Sequence, residues 1–489
     1  MIIKTDQNEI QNFLADASNF KGNCDAVYFP ENAEEIQAIL IEANKNKTPV
    51  TVAGNGTGLT GARVPKGGIV ISTERLNKII EINNEGKFAV LQAAVILDDF
   101  QKILREKNLF YPPDPTEGNS FIGANVATNA SGAKTFKYGP TRGYVLGIKL
   151  ILPNGELLNL ERGNVFAEDY KLELITESEN KIEITIPDYV MPETKHAAGY
   201  FCKKNMDAID LFIGSEGTLG IIYEIKLKLL NFPEAILSSV IFFKTEFDAL
   251  KFVEEARQLS RNNKSEIDAL ALEYFDNFSL KFMSEDYPQI PAEAKAAVWF
   301  EQEYNSENEN IIFENWMNLI NKFGGDEESA WFAATDKDRE KFKDFRHAVA
   351  WKVTEYIAQH NVTKVGTDTS VPDEHFINFY NESISIVKSN NLDYIIYGHA
   401  GNCHLHLNML PKTQEELLKA RNIHAQLCEL AVKLKGTISA EHGIGKSKKD
   451  YLLKMYGEEN IIKMAALKSA LDPNKILGLG TMFNESYLN

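Results

Sequence analysis

Four of the nine histidines lie near the C-terminus, at positions His399, His404, His406 and His442. The run HLHLN at residues 404–408 alternates polar and apolar side chains. In a strand, this period of two places both histidines on one face and both leucines on the other. Because imidazole is a common metal ligand, the spacing taken alone favours a metal pair of His404 and His406. A half-exposed strand carrying two hydrogen-bonded histidines explains the pattern equally well.

A second stretch suited to chemistry is VAGNGTGLTGARVPKGG, residues 52–68, which contains six glycines. Within it, residues 56–61 formally match the dinucleotide fingerprint G-x-G-x-x-G. That fingerprint requires a helix directly after its last glycine, since the pyrophosphate binds at the helix N-terminus. Here Pro65, Gly67 and Gly68 follow within seven residues, so no helix can run there. A Rossmann nucleotide site is therefore excluded.

The tripeptide at 445–447, Gly-Lys-Ser, resembles the end of a P-loop, but the glycine required five residues earlier is Ala440. A P-loop is therefore excluded as well. What remains for residues 52–68 is a strand followed by small residues, whose backbone N–H groups can bind a phosphate as an anion nest. Thr57 and Thr60 add hydroxyl donors. The alternative is a glycine-rich surface turn.

Two further stretches have the same composition. Residues 112–142 and 210–222 combine glycine, alanine, serine and asparagine, as expected where a backbone approaches a ligand closely. Three such loops within about 170 residues are difficult to explain as turns alone. They indicate a long, flat ligand lying across one domain.

Composition limits the class of protein. The chain has 489 residues, 44% of them hydrophobic, and a formal net charge of −17. It is long enough for two or three domains, and it carries no basic stripe, which argues against a nucleic-acid partner. Its start has no signal-peptide pattern, and no segment is apolar enough to span a membrane. Four scattered cysteines without C-x-x-C spacing exclude an Fe–S cluster of its own and favour a reducing, cytoplasmic location.

The elements that must position these residues change character along the chain. Residues 85–232 read as short strands joined by glycine-rich loops, whereas the following part reads as βα units with few glycines. Helices are expected near 246–261, 308–323 and 374–390, and another after the capping box Thr413-x-x-Glu416. We place a domain boundary near 232 and expect the tail to pack back on the first domain.

Together the three loops resemble the flavin-binding domain of the vanillyl-alcohol oxidase/p-cresol methylhydroxylase superfamily. The resemblance is strongest to its branch of glycolate oxidase catalytic subunits, FAD-linked D-lactate dehydrogenases and D-2-hydroxyglutarate dehydrogenases. It covers nearly the whole chain and implies an α+β fold. The expected parts are a two-subdomain FAD-binding domain of the p-cresol methylhydroxylase type at 1–232, and a cap domain with a largely antiparallel sheet and the metal motif at 233–435. A C-terminal helical segment at 436–489 should return to the FAD domain.

The resemblance implies a set of FAD-binding residues, with the pyrophosphate at the first loop, the flavin at the second and the adenine at the third. The set is Gly54, Asn55, Gly56, Thr57, Gly58, Leu59, Thr60, Gly61, Asp114, Pro115, Gly123, Ala124, Asn125, Thr128, Asn129, Gly132, Glu216, Gly217, Gly220, Ile222 and Asn408. Some relatives tether the flavin through a histidine in the first domain. No histidine precedes residue 196, so non-covalent FAD is expected.

The resemblance also implies a metal centre different from the pair that the spacing suggests. The family's metal ligands match His399, His406 and Glu441, and its catalytic base matches His442. Such a ligand set suits a divalent ion such as Zn²⁺ or Mn²⁺. The family's substrate-binding arginine matches Arg346, whose planar guanidinium suits a carboxylate.

The chain departs from the family pattern at four positions. Ala53 stands where an arginine usually precedes the first loop, and Asn55 replaces its second glycine. Asn402 and His404 stand where the family usually has aspartate and asparagine. The first two changes leave the backbone donors in place, and the last two make the surroundings of the metal less acidic.

The resemblance implies an FAD-dependent dehydrogenase that oxidises a D-2-hydroxy acid, of the D-lactate, glycolate or D-2-hydroxyglutarate class, to the 2-keto acid. Two alternatives are an oxidase of the superfamily that uses O₂ on another alcohol, and a catalytically silent flavoprotein subunit. The expected partners are the small acid and an electron acceptor: a quinone, a cytochrome, an electron-transfer flavoprotein or an Fe–S subunit. Through that acceptor the protein could lie at a membrane surface, and a homodimer is compatible with the sequence.

Overall fold

A computed structural model of the chain describes residues 1–262 and 267–488. It has an α+β architecture, which confirms the predicted fold class. Two main sheets form the part before residue 232, and one large antiparallel sheet forms most of the rest. Within the described residues, all four cysteines are buried and free.

The elements of the first 231 residues are mostly short. The strands are β1 Ile2–Lys4, β2 Ala26–Phe29, β3 Val50–Ala53, β4 Ile69–Ser72, β5 Ile79–Asn83, β6 Phe88–Gln92, β7 Leu109–Phe110, β8 Val145–Ile151, β9 Leu157–Glu161, β10 Lys171–Ile175, β11 Lys181–Thr185, β12 Ile221–Lys228 and β13 Leu230–Asn231. The α-helices are α1 Ala33–Asn46, α2 Leu97–Glu106, α3 Ile122–Thr128, α4 Thr135–Tyr138 and α5 Ile209–Phe212.

The elements after residue 231 are longer. The strands are β14 Ala235–Phe243, β15 Ala269–Asp276, β16 Ala296–Tyr304, β17 Gly325–Phe332, β18 Val365–Gly366, β19 Tyr394–Gly398 and β20 His406–Met409. The α-helices are α6 Glu246–Asn262, α7 Asn277–Met283, α8 Glu309–Lys322, α9 Asp336–Gln359, α10 Phe376–Ser389, α11 Gln414–Lys433, α12 Lys449–Tyr456 and α13 Glu458–Leu471.

The first sheet has the order β1-β2-β4-β3, with parallel pairing of β4 to both β2 and β3. Its strand β4 is buried along its whole length and is correspondingly apolar, IVIS. The glycine loop leaves the end of β3, the edge strand of this sheet. The second sheet, β5-β6-β12-β8-β9, is antiparallel, and its strand β9 alternates buried and exposed residues. The two sheets hold the small-residue loops between them.

The large sheet has the order β17-β14-β16-β15-β19-β20-β18, and all of its strand pairs are antiparallel. Its central strands are buried on both faces, since α6 and α8 pack on one side and α7 and α9 on the other. Trp316 of α8 stacks on Phe300 of β16 with the ring centroids 3.8 Å apart. This rigid centre supports the strand ends that carry the histidines.

The C-terminal segment pairs with the first sheet. Val50 donates its N–H to Ile476 at 2.7 Å and accepts the N–H of Gly478 at 2.9 Å. Helix α8 begins and ends within one residue of the predicted positions, and α11 begins where predicted, with Thr413 capping it by accepting the N–H of Glu416. The loop at 436–448, before α12, therefore lies between the cap sheet and the first domain.

Candidate active site

Two histidines and one glutamate converge where the large sheet ends. His399 follows β19, His406 begins β20, and Glu441 lies in the loop after α11. Nε2 of His399 is 3.2 Å from one carboxylate oxygen of Glu441, and Nε2 of His406 is 3.3 Å from the other. Ligand atoms about 2.0–2.1 Å from a tetrahedral ion lie about 3.3–3.4 Å apart. The donor set and its spacing therefore fit a divalent ion.

His404 also faces this cluster, beside His406 as its spacing predicts, with the two ring centroids 4.6 Å apart. Strand β20 itself begins only at His406, and His404 precedes it as a single antiparallel bridge to Ser370. Nδ1 of His404 is 3.9 Å from the Glu441 carboxylate, and its Nε2 is 3.1 Å from Oδ1 of Asp368. The ligand atoms of all three histidines and Glu441 still lie within 4.8 Å of one another. The spacing of two residues and the bridge to Ser370 thus bring His404 to the site together with His406.

Glu273, on β15, supports the cluster from behind and was missed by sequence reasoning. Its Oε1 lies 2.6 Å from Nδ1 of His399, and its Oε2 accepts a hydrogen bond from Nε of Arg346 at 3.1 Å. Burial alone would raise the pKa of this carboxyl, but the charges of His399 and Arg346 lower it to about 2. An ionised carboxylate on the outer nitrogen of a metal-binding histidine fixes the ring and strengthens it as a ligand.

Arg346 comes from α9 and is buried, as a substrate-binding side chain in a closed site would be. Its Nη1 donates to the Thr116 hydroxyl at 2.8 Å, and its Nη2 is 3.2 Å from Nε2 of His399. Burial alone would lower the pKa of this guanidinium, but the carboxylates of Glu273 and Glu441 raise it. The structure thus places a permanent positive charge directly beside the cluster.

His442 lies on the opposite side of Glu441 and is about one-quarter exposed. Its Nδ1 is 3.4 Å from Oδ2 of Asp368, and its Nε2 is 3.4 Å from Oε1 of Glu441. Its ring stacks on that of His406, with an angle of 11° between the planes. The geometry suits a tautomer with the proton on Nδ1, which leaves Nε2 free to accept another.

Asp368, in the turn after β18, organises the loop that carries Glu441 and His442. It accepts the main-chain N–H of both residues, at 3.2 and 3.1 Å, and it also binds the Lys448 ammonium. Burial alone would raise the pKa of this carboxyl, but His442 and Lys448 hold it well below its usual value. Sequence reasoning gave Asp368 no role, because its partners in this loop lie 73 to 80 positions away.

Lys195 is a further cation that the sequence did not reveal. Its ammonium, almost fully buried, lies 2.7 Å from Oε2 of Glu441 and 3.4 Å from Nδ1 of His404. It comes from the irregular segment between β11 and α5, where neither periodicity nor a motif marks it.

The first glycine loop has the property that an anion site needs. Within the described part of the chain, the main-chain N–H groups of residues 55–60 donate no hydrogen bond. Adjacent free N–H groups in a glycine-rich turn bind phosphate oxygens. The N–H of Gly61 differs, because it donates to Asp16 at 3.0 Å. Thr60 is also engaged, with its hydroxyl donating to the carbonyl of His442 at 3.3 Å, and the amide of Asn55 donates to Asn119.

A cleft of about 110 Å³ lies beside this loop and is lined by the small residues of all three loops. A Cβ at Gly123 would lie 2.6 Å from Ala93, and one at Gly220 would lie 2.6 Å from Leu150, so larger residues would strain the walls. The predicted cofactor residues that line it are Gly54, Gly123, Ala124, Thr128, Glu216, Gly217, Gly220 and Ile222. Free amide donors and glycine walls fit the phosphate-bearing part of FAD.

Other predicted cofactor residues lie elsewhere. Asn129 lines a second cavity, of about 500 Å³, together with Lys195. Asn125 is buried in α3, Asn408 is buried in β20, and Leu59 is exposed. Gly132 packs on Asp114, next to Pro115, with its ideal Cβ position 2.1 Å from the Asp114 carbonyl oxygen.

Glu216 contributes to the site in an unexpected way. Glu216 lines the cleft, and its carboxylate accepts the N–H groups of Ile444 and Gly445, both at 2.7 Å. Burial raises the pKa of Glu216 to about 7, although these bonds oppose the shift. The side chain assigned from the sequence to the adenine end therefore fastens the loop that carries His442.

Comparison with known proteins identifies the family of the chain. Residues 24–161 match the model of the FAD binding domain, and residues 233–481 match that of FAD linked oxidases, C-terminal domain. The chain belongs to the FAD-linked oxidase family. It is 31% identical over 465 residues to glycolate oxidase subunit GlcD of Bacillus subtilis, covering 94% of this chain and 89% of that protein. It is 30% identical to D-2-hydroxyglutarate dehydrogenase of Stutzerimonas stutzeri, with 94% and 90% covered.

This FAD-linked oxidoreductase also resembles solved structures, but the sequence identities are so low that they show a shared fold only. P-cresol methylhydroxylase matches with a TM-score of 0.73 at 13% identity, over 99% of this chain and 94% of that one. A 4-ethylphenol oxidase from Gulosibacter chungangensis matches with a TM-score of 0.69 at 18% identity, over 99% and 95%. These matches confirm the fold that the three loops indicated. Among the described helices, none combines the length and apolarity needed to cross a lipid bilayer.

Proposed function

We propose that this FAD-linked oxidoreductase oxidises a D-2-hydroxy acid to the 2-keto acid with the help of a divalent ion, Zn²⁺ or Mn²⁺. The observation that carries the proposal is the meeting of His399, His406, Glu441, His442 and Arg346 at one point. Relatives named glycolate oxidase subunit, D-2-hydroxyglutarate dehydrogenase and D-lactate dehydrogenase support the substrate class.

His399, His406 and Glu441 would hold the ion, and the glycine loops would hold FAD without a covalent link. When bound, the ion polarises the substrate hydroxyl and FAD takes up the two electrons and the hydrogen of the C–H bond. Arg346 binds the substrate carboxylate, because its guanidinium lies beside the cluster and its charge is permanent. The bound acid is thereby held with its hydroxyl toward His442.

His442 acts as the base at its Nε2 atom. Its Nδ1 faces Asp368, so the imidazolium that forms when Nε2 takes the hydroxyl proton is stabilised by that carboxylate. A base placed in this way contributes roughly 10²–10⁴-fold in rate. Glu441 lies next to the same nitrogen, which keeps the proton acceptor close to the proposed metal ligand.

The electrons leave to a separate acceptor. A quinone, a cytochrome, an electron-transfer flavoprotein or an Fe–S subunit would serve, since no described group of this chain offers a second redox centre. Stopped-flow mixing of the reduced protein with air tests this directly. Slow reoxidation by O₂ supports a dehydrogenase, whereas fast reoxidation supports an oxidase.

Anaerobic flavin reduction with a panel of D- and L-2-hydroxy acids tests the proposal itself. Bleaching of the flavin by at least one D-acid, and not by its L-enantiomer, is the expected result. His442→Ala provides the matched negative control, because it should bind FAD without being reduced. No bleaching by any 2-hydroxy acid would overturn the proposal and favour a silent flavoprotein subunit.

A further inference from the structure

Two cations contact the two ends of the first glycine loop. At the start of the loop, Nη1 of Arg63 donates to the carbonyl of Gly54 at 2.7 Å. At its end, the ammonium of Lys446 donates to the carbonyls of Gly61 and Ala62, at 3.3 and 3.1 Å. A cationic side chain therefore donates to carbonyl oxygens at each end of the loop, and the free N–H groups lie between these two ends.

Both cations lack a carboxylate partner. Within the described residues, no carboxylate oxygen lies within 4.0 Å of Arg63 or of Lys446, although Lys446 is only 7% exposed. The third contact of Lys446 is the hydroxyl of Thr481, at 3.0 Å. A buried charge without a counter-charge is unfavourable, and burial accordingly lowers the pKa of Lys446 to about 8, assisted by nearby Lys66.

The surroundings leave this positive charge only partly offset. The carboxylates of Glu216, Asp16 and Glu485 each raise the pKa of Lys446, but together they do not outweigh its burial, and Asp16 already accepts the N–H of Gly61. Arg63 also lines the cofactor cleft, and its Nε is buried without a hydrogen-bond partner. An anionic group bound in the cleft would supply both the missing charge and the missing acceptor.

We propose that Arg63 and Lys446 are the cations that balance the FAD pyrophosphate, one at each end of the loop. Lys446 is a positioning residue, because it acts through the carbonyls of the loop, whereas Arg63 faces the cleft itself. The inference concerns cofactor affinity and stands whether or not the proposed substrate class is correct.

Lys446 also links the cofactor loop to the catalytic loop. The N–H groups of Lys446 and Ser447 donate to the carbonyl of Thr60, at 2.8 and 3.1 Å. A substitution at Lys446 therefore changes charge and hydrogen bonding together. The test must separate the electrostatic role from a merely structural one.

The test is the dissociation constant of the full-length chain for FAD and for riboflavin, which has no phosphate. Lys446→Met and Arg63→Met should each weaken FAD binding about 10- to 100-fold, as expected for lost charged hydrogen bonds, and change riboflavin binding less than about twofold. Lys446→Arg, which keeps the charge, should recover most of the FAD affinity. Lys454→Met, which removes an exposed charge, is the matched control and should leave both constants unchanged.

Two results would overturn the proposal: unchanged FAD affinity in both methionine variants, or an equal loss of FAD and riboflavin binding. If Lys446→Met fails to fold, the proposal is tested by Arg63→Met and by the salt dependence of ligand affinity in the wild-type protein. FAD affinity should then fall with added salt while riboflavin affinity does not. If added salt changed the affinities for FAD and for riboflavin equally, the proposed role of Arg63 and Lys446 would be contradicted. Binding is measured without turnover, so this outcome is independent of the substrate panel.

Discussion

Replacement of Glu273 by glutamine tests whether this buried carboxylate determines the stability and the metal affinity of the histidine–glutamate cluster. The side chain is completely buried and bonds to both His399 and Arg346. Its pKa is lowered from 4.5 to about 2, so the surrounding charges favour its ionised form by about 3 kcal/mol, at about 1.4 kcal/mol per unit. Glu273→Gln removes that charge and leaves the Arg346 guanidinium without a carboxylate partner on this side.

We expect two effects of Glu273→Gln. The free energy of unfolding of the metal-free protein should fall by about 3 kcal/mol, in the range of about 3–5 kcal/mol for breaking a buried ion pair. Affinity for Zn²⁺ or Mn²⁺ should fall about 10- to 100-fold, because His399 loses the group that orients it. Urea unfolding measures the first quantity, and competition with a chromophoric chelator at neutral pH measures the second.

Asp276→Asn is the matched control for this experiment. Asp276 lies on the same strand, is equally buried, and caps α7 by accepting the N–H of Ser279 at 2.7 Å, away from the cluster. It should leave metal affinity unchanged. Metal affinity within about twofold of wild type in Glu273→Gln, or an equal loss in both variants, would refute the reasoning.

Three other predictions concern the base, the ion and a buried acid. His442→Ala should keep its FAD and lose at least about 10²-fold in anaerobic flavin reduction; a near-normal rate would assign the base elsewhere. Chelation with EDTA should abolish turnover, and added Zn²⁺ or Mn²⁺ should restore it; an indifferent enzyme would remove the ion from the reaction. Burial raises the pKa of Asp276 from 3.8 to about 7, so its contribution to stability is present at low pH and is lost as pH rises through that range. Asp276→Asn should therefore gain up to about 4 kcal/mol relative to wild type between about pH 4 and pH 8, measured by urea unfolding. Parallel pH curves for the two proteins would contradict this assignment.

Local composition was informative where the chain must come close to a ligand. Glycine and alanine in the loops at 52–68, 112–142 and 210–222 indicated a flat ligand, and residues of all three line one cleft or pack beside it. The capping box at Thr413 predicted the start of α11 because its hydrogen bonds are made within four residues. Strand periodicity placed His404 beside His406, and their rings lie 4.6 Å apart, although β20 begins only at His406 and His404 forms a single bridge to Ser370.

The supporting charges could not be read from the chain. Glu273 reaches His399 because β15 pairs with β19, with Tyr274 opposite Gly398. Asp368 and Lys195 reach the site through a turn and an irregular segment that carry no pattern of their own. These contacts join residues between 73 and 246 positions apart, and no local preference specifies such a pairing.

The sequence by itself determined the loops, the main helices and the types of residue that could bind a metal, because each of these depends on neighbours along the chain. The tertiary structure decided which histidines converge, which carboxylates compensate Arg346, and which cations stand at the ends of the cofactor loop. The physical reason is that a buried charge is stabilised only by groups brought within a few ångströms of it. Sheet register and packing alone determine that distance.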